Sequence, residues 1–368
     1  MVLFNELKVV NLVRSLNWRR IKNLILTGSS FSLSALLQKN IMWGRPAVLT
    51  IEPTNLCNLR CPLCTTGNGE MERSAGKMSL DTFRKIIDTV GDDIFFLLLY
   101  HQGEPYINKN FLDFVRLAKE KKIYCTTSTN AHYFTDKNIR ETIDSGLDSM
   151  IVSIDGVRQE SYETYRIKGN LNKVLQGLER FVKIKKELNR STPLVALQFL
   201  VMKHNEHEIP EVKKLARKIG VDRLLIKNIE VRSKEEAQQW LPKDNRYRRY
   251  HFDDDKFEVK NNRKQSCPRP WLSTLINWDG SVVPCCFDKN GTHAMGNINQ
   301  FQDFDYIWNN TRFKHFRHQL STNRKSIDMC RNCNMGFGSF IPEFKWFKKK
   351  SDTLPQASGD EKKFPILK

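Results

Sequence analysis

The sequence has no long apolar run. Its longest, Ile94 to Tyr100, falls far short of the roughly 20 residues a membrane span needs, so a spanning helix is not expected. The opening shows no short charged region, apolar core and small-residue cleavage site, and so does not read as a secretory signal. Cysteine is scarce: nine in 368 residues are too few for a disulfide scaffold. Seven of the nine nevertheless stand in ligand-like spacings, and only Cys125 and Cys286 are left over. That usage points to metal binding in a reducing compartment, so a cytoplasmic location is expected, either free or peripheral on the inner membrane surface. Acidic residues are outnumbered, 41 against 60 basic, for a net charge of +19. The excess favours an anionic partner, yet no nucleic-acid-binding motif is present and no specific nucleic acid is expected. Hydrophobic content is ordinary, which excludes a disordered chain, and the length allows one large or two medium domains.

What is present centres on Ile51-Glu52-Pro53-Thr54-Asn55-Leu56-Cys57-Asn58-Leu59-Arg60-Cys61-Pro62-Leu63-Cys64. Three thiols at a C-x3-C-x2-C spacing follow a strand-like run, residues 47–51. Thiolates suit iron–sulfur clusters or zinc. Most clusters take four thiolates, and this loop offers three, so one iron would stay open to another ligand. A zinc ion with three thiolates and a water is the competing reading.

From residue 47 to 229 strand-like and helix-like runs alternate. The strands are expected at 47–51, 94–100, 123–128, 149–154, 194–201 and 223–229, and the helices at 79–90, 109–121, 135–145, 170–189 and 207–219. Alternation of this kind gives βαβ units and a parallel sheet, either a barrel or an open doubly wound sheet. Polar residues recur after the strands: Gln102-Gly103-Glu104-Pro105, then Ser128, Thr129 and Asn130, then Ser153-Ile154-Asp155-Gly156, then Arg166. A glycine lets backbone approach a ligand closely, a glutamate can pair with an ammonium, and a guanidinium fits a carboxylate bidentately. Taken singly, each is as readily a turn or a solvated charge.

A second cysteine set comprises Cys267, Cys285, Cys330 and Cys333. Asp279-Gly280 between Leu275–Trp278 and Ser281–Val283 predicts a two-residue hairpin that returns Cys285 towards Cys267. Cys286 is the weaker candidate beside it, and a structural four-thiolate zinc site remains open.

In these motifs the chain resembles the radical S-adenosylmethionine (SAM) enzymes, and over 267–333 their SPASM or twitch auxiliary-cluster domain. The resemblance covers about residues 47–335. It implies an α/β fold, a partial (β/α)6 TIM-like barrel followed by a small α+β auxiliary-cluster domain. The implied organisation is a basic helical segment (1–46), a core (47–229), a connector (230–266), an auxiliary domain (267–337) and a basic, aromatic, partly disordered tail (338–368). It implies a 4Fe–4S cluster on Cys57, Cys61 and Cys64 that chelates SAM, and one auxiliary 4Fe–4S cluster on Cys267, Cys285, Cys330 and Cys333. Gly103, Glu104, Pro105, Ser128, Asn130, Ser153, Asp155 and Arg166 fall at the SAM-binding positions. Gln102 departs from the family's first glycine, and Leu63 from its usual aromatic residue.

The activity implied is reductive cleavage of SAM to a 5′-deoxyadenosyl radical that abstracts a substrate hydrogen. A net oxidation of a small-molecule, sugar or lipid-linked substrate is expected, with a flavodoxin or ferredoxin as electron donor. A peptide-modifying maturase is the alternative enzyme, and a metal-stabilised binding module at an anionic surface the alternative without catalysis. Two segments raise peripheral membrane contact. Met1 to Leu26 reads as a basic amphipathic helix, lying on lipid or docked on the core, that ends at Thr27-Gly28-Ser29-Ser30. Phe344 to Lys350 interleaves aromatics with lysines, which suits a lipid interface.

Overall fold

The computed structural model of the chain describes residues 9–253, 256–260, 267–331, 333 and 343–347. Two helices lead, α1 (Val9–Arg14) and α2 (Trp18–Leu37). Six strands follow: β1 (Val48–Ile51), β2 (Phe96–Leu98), β3 (Tyr124–Thr129), β4 (Ser149–Ser153), β5 (Leu194–Val201) and β6 (Arg223–Asn228). The helices between them are α3 (Leu80–Val90), α4 (Phe111–Glu120), α5 (Asp136–Asp144), the pair α6 (Gln159–Tyr165) and α7 (Leu171–Glu187), and α8 (Ile209–Ile219). Local chemistry sets the boundaries. Ser79, Thr135 and Asn170 accept hydrogen bonds from the first-turn amides of α3, α5 and α7, the usual N-cap arrangement. Gly220 ends α8 in the left-handed conformation, which costs glycine nothing.

The six strands are parallel and pair in sequence order, β1 through β6. An open doubly wound sheet reverses its strand order at a switch point, and this one does not. The chain is therefore a partial barrel. Its main core lies between the strands and the outer helices, where Phe83 and Phe114 stack at 4.4 Å.

The segment expected as a plain connector has structure of its own: α9 (Lys234–Trp240) and a hairpin of β7 (Tyr250–Phe252) and β8 (Phe257–Val259). Trp240, Tyr250 and Val259 pack in one apolar cluster with Leu59 and Cys61 of the cysteine loop. Beyond it stand α10 (Arg269–Leu272), β9 (Ser273–Ile276), β10 (Ser281–Val283), β11 (Gly296–Asn297), α11 (Asp305–Trp308), α12 (Thr311–Thr322) and α13 (Asp328–Arg331). β9 pairs in parallel with β1, and β10 antiparallel with β9, so the auxiliary region extends the barrel's own sheet. The expected two-residue hairpin turn is corrected. The Asn277 amide donates to the Ser281 carbonyl and that of Gly280 to the Asn277 carbonyl, with Gly280 at φ +85°. This is the three-residue loop with a left-handed glycine.

Two further expectations change. Thr27-Gly28-Ser29-Ser30 does not end the first helix, because α2 runs on to Leu37. Its hydroxyls find partners within the fold: Thr27 donates to the Asn23 carbonyl, and Ser30 accepts from the Trp43 amide. Residues 343–347 are not a loose aromatic tail. β12 (Glu343–Trp346) pairs antiparallel with β6 and covers the barrel's open edge, as an unpaired edge strand requires. Phe344 packs against Ile151, Ala196 and Leu225, and Trp346 lies over the buried Arg223 guanidinium at 3.4 Å. Both rings are thus engaged with protein. The expectations for residues 1–8 and 348–368 lie outside the described residues.

Candidate functional site

The cysteine loop begins where β1 ends, at the C-terminal mouth of the barrel, where chemistry sits in folds of this type. The loop is held by its backbone: the Arg60 amide donates to the Ile167 carbonyl, and that of Cys64 to the Cys61 carbonyl. Gly67 lies against Cys61 so closely that a Cβ there would stand 2.5 Å from the Cys61 nitrogen and carbonyl oxygen. Cys57, Cys61 and Cys64 share one apolar cluster. Burial raises the Cys57 thiol and pushes that of Cys61 up to about 12, and each is raised further by the neighbouring thiols. The three cysteines therefore share one buried patch at the mouth.

The strand-end residues gather round them. Gly103 stands at φ +75°, with room for a Cβ denied by the Thr54 and Leu56 carbonyls. The Glu104 amide donates to the Leu56 carbonyl, tying the tip of β2 to the cysteine loop. The Glu104 carboxyl is buried and accepts from the Thr129 hydroxyl and the Asn130 amide, each at 2.8 Å. Burial raises it to about 7, against these bonds, which lower it. Pro105 opens a short helical turn whose first free amide, on Tyr106, Glu104 caps. The Asn130 side chain reaches the Asn58 oxygen at 2.8 Å and the Cys57 sulfur at 3.9 Å.

Arg166 donates through Nε to Asp155 at 2.6 Å and points a terminal nitrogen at the Cys61 sulfur, 3.9 Å away. Asp155 accepts from the Leu200 amide as well, so it holds the arginine in place. Ser153 accepts from Gln198 at 3.2 Å. Ser128 lies on β3 and makes no side-chain hydrogen bond to this group. Two further side chains just after β2 were not among the expected site residues. Gln102 accepts from the Thr66 hydroxyl and lies 3.7 Å from the Cys64 sulfur. His101 has a sealed, unpaired Nε2, and burial with the nearby Arg73 and Lys289 lowers it to about 3. Position after β2 was the available signal for both.

In the auxiliary region Cys267, Cys285, Cys330 and Cys333 line one small apolar cavity with Phe287, Phe316 and Leu320. Cys286 is not among its walls, and its sulfur accepts from Arg269 at 3.2 Å instead. Arg324 donates to the Cys333 carbonyl at 2.6 Å. Among the described residues no three His, Cys, Asp or Glu side chains converge tightly enough for a single metal ion. Thiolates suit iron–sulfur clusters, so the donor type fits clusters at both places.

A cleft of about 520 Å³ opens where the segment after the cysteine loop meets the auxiliary region, with no cysteine among its described walls. Its walls include Thr65 and Glu70 from the cysteine loop side, Glu230 and Arg232 after β6, and Lys289, His293 and Asp328 from the auxiliary region. A bidentate pair of Arg73 with the fully buried Glu52 joins the parts, since Glu52 also accepts from the Trp278 amide and Arg73 donates to the Lys289 carbonyl.

Comparison with known proteins gives the same outline. Residues 51–216 match the radical SAM superfamily, and residues 267–334 an iron–sulfur cluster-binding domain, SPASM. A tungsten-containing aldehyde ferredoxin oxidoreductase cofactor-modifying protein of Pyrococcus furiosus is 27% identical over 320 residues, 78% of this chain and 87% of that protein. A PqqA peptide cyclase of Bradyrhizobium diazoefficiens is 26% identical over 188 residues, 51% of this chain and 48% of the cyclase. Among solved structures, Streptococcus suis SuiB bound to S-adenosylmethionine superposes with a TM-score of 0.56 at 14% identity, over 86% of this chain and 84% of SuiB.

Proposed function

This chain belongs to the radical SAM superfamily and carries a C-terminal SPASM domain, and on that premise we propose how its own residues divide the work. Cys57, Cys61 and Cys64 hold the 4Fe–4S cluster that receives SAM. Bound there, the cluster and SAM supply reductive SAM cleavage and hydrogen-atom abstraction from substrate. The residue contributions follow from placement. Glu104, fixed by Thr129 and Asn130, offers a carboxylate to the SAM ammonium. Arg166, oriented through Nε by Asp155, offers its terminal nitrogens to the SAM carboxylate. Gly103 lets backbone approach closely, Pro105 fixes the turn behind it, and Ser128 and Ser153 present hydroxyls along the strand tips. Leu63 and the apolar cluster of Leu59, Tyr165, Trp240 and Tyr250 exclude water, which a radical reaction requires.

Cys267, Cys285, Cys330 and Cys333 hold one auxiliary 4Fe–4S cluster. With all four thiolates engaged, such a cluster would supply electron acceptance or relay, which would favour a net oxidation. The cleft walled by the segment after the cysteine loop and by the auxiliary region seats the substrate, a small molecule, sugar or lipid-linked group. A peptide substrate is the second reading, favoured by the likeness to a peptide cyclase. A flavodoxin or ferredoxin supplies electrons. The observation that carries this reading is the gathering of Glu104 and Asn130 from strand ends, and of Arg166 from the end of α6, around the three thiols.

The test is anaerobic reconstitution followed by dithionite and SAM. About eight iron per chain and formation of 5′-deoxyadenosine are expected, the latter abolished in Cys57→Ala/Cys61→Ala/Cys64→Ala. Stoichiometric zinc without SAM cleavage would overturn the assignment.

A further inference from the structure

Helix α2 is amphipathic with its faces exchanged. At about 100° per residue, Trp18, Ile21, Ile25 and Leu36 fall on one face, and Arg20, Asn23, Thr27, Ser30 and Ser34 on the opposite one. The polar face is the buried one. The apolar face is open: Trp18 and Leu36 are each 76% exposed and Ile25 59%. A soluble helix ordinarily turns its apolar stripe to the core.

The orientation is fixed by hydrogen bonding. Arg20 donates to the carbonyls of Gly91, Lys121 and Lys122. Asn23 exchanges bonds with the Arg45 backbone. Ser34 exchanges them with Ile41 and accepts from the Trp271 indole. Turning the helix over would bury the aliphatic groups and strand all of these donors and acceptors without partners, which is costly for buried polar groups. The exposed stripe is therefore a stable property of the fold, and exposed apolar patches mark interaction sites.

The charge around it selects the partner. Residues 9–46 contain no Asp or Glu, and Arg14, Lys22 and Lys39 are exposed in this segment. A second copy of a +19 chain would set these cations against themselves. An anionic bilayer accepts both features: aliphatic groups enter the headgroup–acyl boundary, indoles favour that depth, and lysines and arginines meet lipid phosphates. No helix among the described residues is long and apolar enough to cross a membrane. We propose that α1 and α2 dock this chain flat on an anionic lipid surface, with the Trp18–Ile21–Ile25–Leu36 face in the headgroup layer. The Gly91, Lys121 and Lys122 carbonyls that Arg20 binds lie ahead of β2 and β3, at the N-terminal end of the barrel. Docking through this face leaves the cysteine-loop mouth directed away from lipid, open to substrate and electron donor.

The test is co-sedimentation of the full-length, cluster-loaded protein with vesicles of phosphatidylcholine alone or mixed with phosphatidylglycerol. Partitioning at least about tenfold stronger to the mixed vesicles is expected, weakening as salt rises. Trp18→Ser/Ile21→Ser/Ile25→Ser should lose at least about tenfold of it with iron content and Tm kept. Arg14→Glu/Lys22→Glu, which leaves the apolar groups in place, supplies the same comparison should the triple variant misfold. Four results would overturn the proposal: no binding to either vesicle, equal binding to both, a dimer in light scattering that the triple variant disperses, or binding that appears only after residues 1–8 are removed. None of these depends on SAM cleavage.

Discussion

The Glu104 carboxyl titrates near 7 because burial outweighs the hydrogen bonds that favour its anion. In the unfolded chain an ordinary glutamate ionises near 4.3. Between roughly pH 4.5 and 7 the folded protein therefore keeps a proton that the unfolded chain has lost, and stability falls as pH rises across that window. Glu104→Gln should flatten this slope in a series of Tm against pH for the ligand-free protein. An ammonium beside the carboxylate favours the anion, so SAM should bind more tightly as pH passes through 7. In Glu104→Gln the affinity should drop roughly tenfold or more and lose that dependence, as equilibrium dialysis would report. A pH-independent affinity in the unsubstituted protein would remove Glu104 from the SAM site.

A second residue-scale outcome separates adjacent thiols. Cys285 faces the cavity of the auxiliary set and Cys286 does not. Cys285→Ala should fall from about eight to about four iron per chain, and Cys286→Ala should keep about eight. The pattern of residues after strands put Cys57, Glu104, Asn130 and Arg166 forward as candidates, and the fold brings them close to the cysteine loop. Thr66 was not readable, because its bond to Gln102 beside Cys64 depends on how the loop folds back.

At the scale of elements, the six barrel strands and most helices could be placed from alternation alone, since parallel strands buried on both faces are continuous apolar runs. Expected and observed β5 coincide at 194–201. Where the reading failed, tertiary partners overrode a local signal. Thr27 and Ser30 look like helix breakers, yet their hydroxyls are used inside the fold. The Asp279-Gly280 turn kept its glycine and gained a residue. Phe344 and Trp346 resembled a lipid-facing pattern because nothing in the sequence announces that β6 needs an edge partner. That pairing has a measurable consequence. The Arg223 guanidinium is buried and covered by the Trp346 ring at 3.4 Å. Trp346→Ala should cost about 2 kcal/mol and lower the denaturation midpoint, whereas a ring held only by lipid would leave the midpoint of the protein in solution unchanged.

At the scale of the molecule, one sheet carries both cysteine sets. β1 runs into the loop of Cys57, β9 lies beside it, and β10 ends two residues before Cys285. The buried Arg73–Glu52 pair reinforces the same junction. Backbone hydrogen bonding thus ties the strand before the Cys57 loop to the hairpin before Cys285. Electrons must also arrive from outside, and the net charge of +19 bears on that step. A strongly basic surface accelerates encounter with an acidic electron carrier, and salt screens the attraction over about 10 Å at 0.1 M. Reduction of the cluster-loaded chain by an acidic flavodoxin, followed in stopped flow, should slow by roughly tenfold between low and high ionic strength. Reduction by a small neutral dye should change little across the same range. Equal salt dependence for both donors would mean that the excess charge plays no part in electron delivery.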